Sequence, residues 1–485
     1  MLPLKQSAGS HSVFGTRSPE RENHYPDSGK AVTMEFWILI SIAAVVLAWG
    51  VVFLSEHFSK GALLLATAIS VTPTVMGYFY LPIIPVSLAL LMAWGHSLFK
   101  AATKRVLSVT LTSASILFLL VAGALIYALP MFPIHKPSGK YNVGTQALVI
   151  SETLPAQIWY PTEATTNSAP YILEGTPVIN EIAKVFGLPD FALAHFQWIT
   201  TPANLNAPIS TDEATFPVLL FSHGLGGFKA QNTFQVIELA SHGYVIIAID
   251  HPGYAAATVL GERVLTNRHA DLLGAEAHVL DNHVGDWVNN LQTVLDSLPT
   301  INQRFDNRLD ETKIGAFGHS FGGATAYQLL LVDARVQAAV NMDGGAFGII
   351  RPTHKPFFYL NASSTLDFEA FSKQLDEFSD EEVVRLSGST KEAVRQNFRE
   401  LLTRREKILQ ANAYSLVIPN MQHLGFTDAV LYSPLLADVT HRHPVINDFT
   451  LAFFNQYLKG KTDISMTDLS NRYSDMKFQA HTAQP

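Results

Sequence analysis

The chain has 485 residues, 48% of them hydrophobic, with 33 basic against 41 acidic side chains and a formal net charge of −8. No basic stripe marks a nucleic-acid footprint, and the absence of cysteine excludes disulfides, thiolate metal sites and a cysteine nucleophile. The mean hydropathy of +0.17 is high for a soluble enzyme, and the apolar excess lies before Tyr141.

Residues 1–34 are polar and rich in Ser, Pro and charge, and read as a disordered tail or an extension upstream of a start at Met34. Residues 35–130 read as a membrane region. Phe36–Leu54 is a run of 19 uncharged residues, roughly 28 Å of helix against a hydrocarbon core of about 30 Å. Gly61–Phe99, broken by Pro73, Pro82 and Pro85, fits a helical hairpin, and Val106–Leu129 is a further uncharged run of 24 residues. Four spans are expected, with three as the alternative. Placing Lys100, Lys104 and Arg105 in the cytoplasm puts everything after Leu129 outside. The lipid bilayer is then a partner, and the expected location is a membrane with the C-terminal domain on its outer side. His96 is almost the only ionisable residue within the spans, which argues against a transport pathway.

From 136 to 485 the pattern changes. Ala147–Tyr160 reads as two strands and a turn, followed by strands at Pro217–Ser222, Tyr244–Asp250, Lys313–Gly318, Val336–Asp343, Pro356–Leu360 and Ser415–Pro419. Helical spacing marks Gln231–His242, His278–Leu298, Phe321–Leu331 and Ile446–Leu458. Short apolar strands alternating with helices predict an α/β fold, a mostly parallel sheet covered on both faces. Two long insertions interrupt it, 162–210 and 367–412. Such segments form lids or pocket walls, and a solvated helix pair is an equal reading for the second.

The chemistry centres on Gly318-His319-Ser320-Phe321-Gly322-Gly323, between a strand and a helix. A nucleophile projected from a tight strand-to-helix corner needs glycine two residues before and after it. Ser320 is therefore the expected nucleophile. The turn His223-Gly224-Leu225-Gly226-Gly227-Phe228 follows an early strand, so the amides of Leu225 and Phe321 are the expected oxyanion donors. His223 precedes the nucleophile and reads as a hydrogen-bonding residue of the turn. The base is expected after the last strands. His423 fits, whereas His441 and His443 follow no strand and read as residues of a solvated loop. Asp343, ending a strand, and Asp367, just beyond the next, are both placed to be the acid, and position does not separate them. Asp250 and Asp428 read as loop hydrogen-bonders.

Together HKPSGKYNVGT, FSHGLGGF, LASHGY, GHSFGG and NMDGGAF, spread over about residues 136–460, resemble the plasma-type platelet-activating factor acetylhydrolase family of the α/β-hydrolases. LPDFALAHFQWITTPANLNAPIS is similar to that family's insertion before the oxyanion strand. The resemblance implies an α/β-hydrolase fold with Ser320, Asp343 and His423 as catalytic residues, Asp343 being preferred to Asp367. It implies calcium-independent hydrolysis of short or oxidised sn-2 acyl groups of phospholipids, with no metal and no organic cofactor. The polytopic N-terminus departs from the secreted members and looks like bacterial membrane-bound relatives, which implies a bacterial inner membrane with the catalytic domain on the periplasmic side. A general short-chain carboxylesterase or polyester hydrolase is the alternative activity, and a catalytically inactive membrane scaffold the alternative class.

Overall fold

The computed structural model describes residues 29–54, 56–75, 80–99, 105–165, 168–435 and 442–481. Most of the expected tail, Lys100, Lys104 and His441 lie outside the described residues.

Four apolar helices come first: α1 (Gly29–Leu54), α2 (Glu56–Val75), α3 (Ile83–Phe99) and α4 (Arg105–Ala128). α1 begins inside the stretch read as tail, because Lys30, Ala31 and Met34 are good helix formers that extend a helix already nucleated by the apolar run. Phe58–Val75 and Arg105–Ala128 are long and apolar enough to cross a membrane, while Phe36–Val52 and Ile83–Leu98 are shorter apolar stretches. Val45, Val52, Leu63, Val86 and Ala93 meet inside this bundle. Leu47, Leu65, Leu91, Val106 and Leu120 point outward and are largely exposed.

The rest of the chain builds a sheet. Its strands are β1 (Asn142–Ser151), β2 (Leu154–Thr162), β3 (Ser168–Pro170), β4 (Thr200–Leu205), β5 (Phe216–Ser222) and β6 (Val245–Ile249). A separate hairpin, β7 (Ala257–Leu260) and β8 (Arg263–Thr266), follows. The sheet then continues with β9 (Leu309–His319), β10 (Val336–Met342), β11 (Phe357–Ala362), β12 (Ala413–Ile418) and β13 (Lys477–His481). The order across the eleven strands is β13-β12-β11-β10-β9-β5-β6-β2-β1-β4-β3. The six from β12 to β6 are all parallel. β2 and β13 add antiparallel flanks.

The parallel strands are buried on both faces, which is why β5 and β6 read as unbroken apolar runs. Alternate residues serve opposite faces. Leu219 and Phe221 of β5 share a core with α6 (Thr233–Ser241) and α13 (His443–Leu458). Val218 and Leu220 pack against α7 (Ala277–Gln303) and α8 (Phe321–Val332).

The first insertion holds β3, α5 (Thr176–Val185), a 3-10 segment Asp190–Trp198 and β4. β4 pairs parallel with β1, so the insertion also extends the sheet. It carries the contact to the helical bundle. Ile38 and Ile83 share a core cluster with Leu193 and Phe196, the Tyr80 ring lies 5.0 Å from that of His195, and the Tyr80 hydroxyl donates to Leu129 O at 2.6 Å. The second insertion forms three charged helices, α9 (Phe368–Asp376), α10 (Asp380–Ser387) and α11 (Lys391–Ile408). After β12 come a short α12 (Ala429–Tyr432), α13, and then α14 (Met466–Arg472), which leads into the edge strand β13.

Candidate active site

β9 runs into α8 through a single residue, Ser320, held at φ 56° and ψ −126°. A non-glycine residue with that backbone costs roughly 1–3 kcal/mol and persists only when its surroundings hold it. Here Ser320 N donates to Met342 O at 2.9 Å, and Ala324 N donates to Ser320 O at 3.2 Å. Side chains cannot be added nearby: a Cβ on Gly318 would strike Gly322 and Ser222, and one on Gly322 would strike the Ser222 and His223 carbonyls. The corner therefore points the Ser320 hydroxyl outward. Phe321 opens α8, and first-turn amides have no acceptor within their own helix, so they meet developing negative charge.

The turn after β5 lies against this corner. A Cβ on Gly224 would stand 3.1 Å from the Ser320 Cβ. Gly226 N donates to Tyr254 O at 3.0 Å and Ala256 N to Gly227 O at 2.8 Å. His223 is buried; its Nδ1–H donates to Gly224 O at 2.7 Å and its Nε2 accepts from His251 N at 3.0 Å. Burial lowers its pKa to about 4, so it stays neutral and shapes the turn. Lys229 closes the turn from beneath, with Nζ 2.6 Å from Asp250 Oδ2 and 2.7 Å from Glu174 Oε1. Burial works against the ammonium, but the two carboxylates outweigh it and hold its pKa above the ordinary lysine value.

Asp343 follows β10 with φ 58°. Its Oδ1 accepts from Ala362 N at 2.8 Å and from Thr365 Oγ1 at 2.6 Å, and Asn361 Nδ2 approaches to 3.5 Å. Its Oδ2 takes the Nδ1–H of His423 at 2.8 Å. Those donors aim the carboxylate, which is buried, at an imidazole whose side chain is 42% exposed. His423 opens a 3-10 turn after β12. Ser320, His423, Leu225 and Gly224 line one cavity of about 320 Å³, walled by Ile182, Val185 and Phe186 of the first insertion. No residue of 367–412 is among the described residues lining it, whereas the first insertion supplies one wall.

Asp367, the alternative acid, is elsewhere: it is exposed and caps α9, accepting from Ala370 N at 2.9 Å. Asp428 is fully buried and accepts from Thr233 N, Phe234 N and the Tyr171 hydroxyl. His443 corrects the solvated-loop expectation. It begins α13, is buried, and stacks on Phe234 at 3.7 Å, because the start of α13 packs against α6 in the shared core. Among the described residues, no group of three or more His, Asp or Glu side chains converges as a metal site.

Sequence reading passed over His319 and Gln231. Gly224 N donates to Gln231 Oε1 at 3.4 Å, Gln231 Nε2 to His319 Nδ1 at 3.3 Å, and His319 Nε2 to His423 O at 3.0 Å. The outer partners fix the tautomer: a carbonyl can only accept and an amide nitrogen can only donate, so His319 is neutral with its proton on Nε2. Burial, and then the neighbouring His423, hold its pKa well below the usual histidine range. The only signal in the sequence was the histidine inside the GHSFGG corner.

Residues 129–264 match the family model of platelet-activating factor acetylhydrolase, isoform II, and residues 217–426 match that of the alpha/beta hydrolase fold. The platelet-activating factor acetylhydrolase of Canis lupus familiaris is 28% identical over 314 residues, covering 57% of this chain and 70% of the relative. That of Cavia porcellus is 26% identical over 312 residues, covering 55% and 68%. A probable 1-alkyl-2-acetylglycerophosphocholine esterase of Arthroderma benhamiae is 25% identical over 264 residues, covering 49% and 66%. Among solved structures, a ferulic acid esterase from Streptomyces cinnamoneus superposes with a TM-score of 0.51 at 20% identity, over 72% of this chain and 99% of that one. By fold and by sequence similarity the chain is an α/β hydrolase that resembles the platelet-activating factor acetylhydrolases.

Proposed function

We propose that the chain is a serine esterase acting on phospholipids that carry a short or oxidised sn-2 acyl group. One observation carries this reading: the His423–Asp343 pair opens onto the same cavity as the strained Ser320 corner. Ser320 Oγ attacks the ester carbonyl while His423 takes its proton. The resulting oxyanion is held by the amides of Leu225 and Phe321, each donor being worth about 3 kcal/mol in the transition state. His423 returns the proton to the leaving alkoxide, and the C–O bond breaks to leave an acyl-Ser320. Water, deprotonated by His423, attacks this acyl group and releases the carboxylic acid. Asp343 holds the imidazole in the required tautomer and stabilises its cationic form. The phospholipid class comes from the names of the relatives. No step uses calcium.

The helical bundle serves as a membrane anchor in this reading. Its helices are apolar inside and outside, with Leu47, Leu65, Val106 and Leu120 exposed, a pattern that suits helices surrounded by hydrocarbon. The first insertion, docked on the bundle, then holds the active-site cavity near lipid, and Lys100, Lys104 and Arg105 favour a catalytic domain outside the cytoplasm.

The test is hydrolysis of p-nitrophenyl acetate and of a 1-alkyl-2-acetyl phosphocholine lipid by the full chain in detergent, with EDTA present. Wild type should cleave both and Ser320→Ala neither. A folded wild type that cleaves neither ester overturns the proposal.

A further inference from the structure

A second cavity, of about 330 Å³, adjoins the first and reaches the end of α4. Ala128 and Leu129 form one side, Leu188 and Leu193 of the first insertion another, and its lining is overwhelmingly apolar. Phe186 and Tyr432 line both cavities. Their rings meet edge to face with centroids 6.0 Å apart, forming the partition between them. Tyr432 is held in place from behind, its hydroxyl 2.7 Å from that of Tyr171, which in turn donates to the buried Asp428. Two apolar residues of its lining are open to solvent, Leu435 at 70% and Leu188 at 36%. Exposed apolar side chains around a dry cleft mark contact with a ligand or with lipid rather than with water.

We propose that this second cavity binds the long alkyl or acyl chain of the lipid whose short ester lies at Ser320, the chain passing the Phe186–Tyr432 partition. The occupant follows from three features together. Among the described residues the lining carries no charge to recognise a headgroup, the cavity shares its Phe186–Tyr432 wall with the one holding Ser320, and it lies at the end of the last apolar helix. Lipid is thereby drawn laterally, tail first toward α4, and the ester is presented to the catalytic side without the tail crossing water. This inference rests on the esterase reading for what occupies the first cavity, but its binding half can be tested without turnover.

Two experiments on the full chain in nanodiscs test it. In the first, Ser320→Ala protein is photolysed with a phosphocholine lipid bearing an sn-2 ether and a diazirine at the end of a hexadecyl chain. Labelling within 186–193 or 429–435 is expected; labelling confined to other segments overturns the proposal. In the second, kcat/KM is measured for two sn-2 acetyl lipids with hexadecyl or butyl chains at sn-1. Leu188→Trp fills the cavity and should lower the hexadecyl-to-butyl ratio about tenfold, several buried methylenes being lost from contact. A ratio equal to wild type overturns the proposal. Failure of the esterase reading shows itself differently, as a wild type that cleaves neither lipid while the probe still labels the cavity.

Discussion

His319 donates through Nε2 to the backbone carbonyl of His423 at 3.0 Å, so the residue beside Ser320 holds the loop that carries His423. Its other nitrogen takes the Gln231 amide, whose oxygen accepts the Gly224 N–H of the turn after β5. The Ser320 corner, the His423 loop and the turn after β5 are thus tied through one neutral ring. His319→Phe keeps a flat ring at the position and removes both bonds. It should lower kcat by roughly 10–100-fold with little change in KM, since a misplacement of about 1 Å can cost that much. Stopped-flow measurement of acyl-enzyme formation checks it; an unchanged kcat in a folded variant refutes the positioning role.

The two candidate acids should separate cleanly. Asp343→Asn leaves the imidazole without its carboxylate and in the wrong tautomer, for which a fall in kcat of about 10⁴ is expected. Asp367→Asn retains a good helix cap and should change neither activity nor stability, while Asp367→Ala should cost about 1 kcal/mol through loss of the bond to Ala370 N. Parallel esterase assays and urea melts of the three variants measure both effects.

Acid should unfold the catalytic domain partly through buried histidines. Burial lowers the pKa of His223 and of His443 to about 4 each, against about 6.5 in the unfolded chain. The unfolded state therefore binds more protons between those values. The stability these residues contribute is fully present above about pH 6.5 and is lost progressively as pH falls towards 4. His443→Phe, which keeps the stack on Phe234, should flatten the dependence of stability on pH across that window. Urea midpoints from pH 4 to 7.5 in wild type and variant report it.

Lys229 should matter through charge rather than contact with substrate. Lys229→Met leaves Asp250, which is fully buried, and Glu174 facing each other without their cation. Removing one partner of a buried ion pair costs about 3–5 kcal/mol. Adding Asp250→Asn to the variant should recover part of that loss. A double-mutant cycle on thermal unfolding gives the coupling, and simple additivity would contradict it.

Much of the fold was legible because its signals are local. The apolar runs of β5, β6 and β10 show strands buried on both faces, and the glycines flanking Ser320 show a corner too tight for side chains. The turn after β5 could be read for the same reason, as glycine spacing after a strand. The choice between Asp343 and Asp367 was not local. Each lies at or a few residues beyond the end of a strand, and only the parallel alignment of β10, β11 and β12 brings Asp343 to His423, 80 positions apart in the chain. Nor could the sequence place His443 against Phe234, link Gln231 to His423 through His319, or reveal that the first insertion adds β4 to the sheet while joining the helical bundle to the catalytic cavity. Composition and spacing along the chain determined the main elements and the tight corner at Ser320. Partners distant in sequence were decided by packing, because a hydrogen bond or a cavity wall depends on which surfaces meet once the sheet has formed.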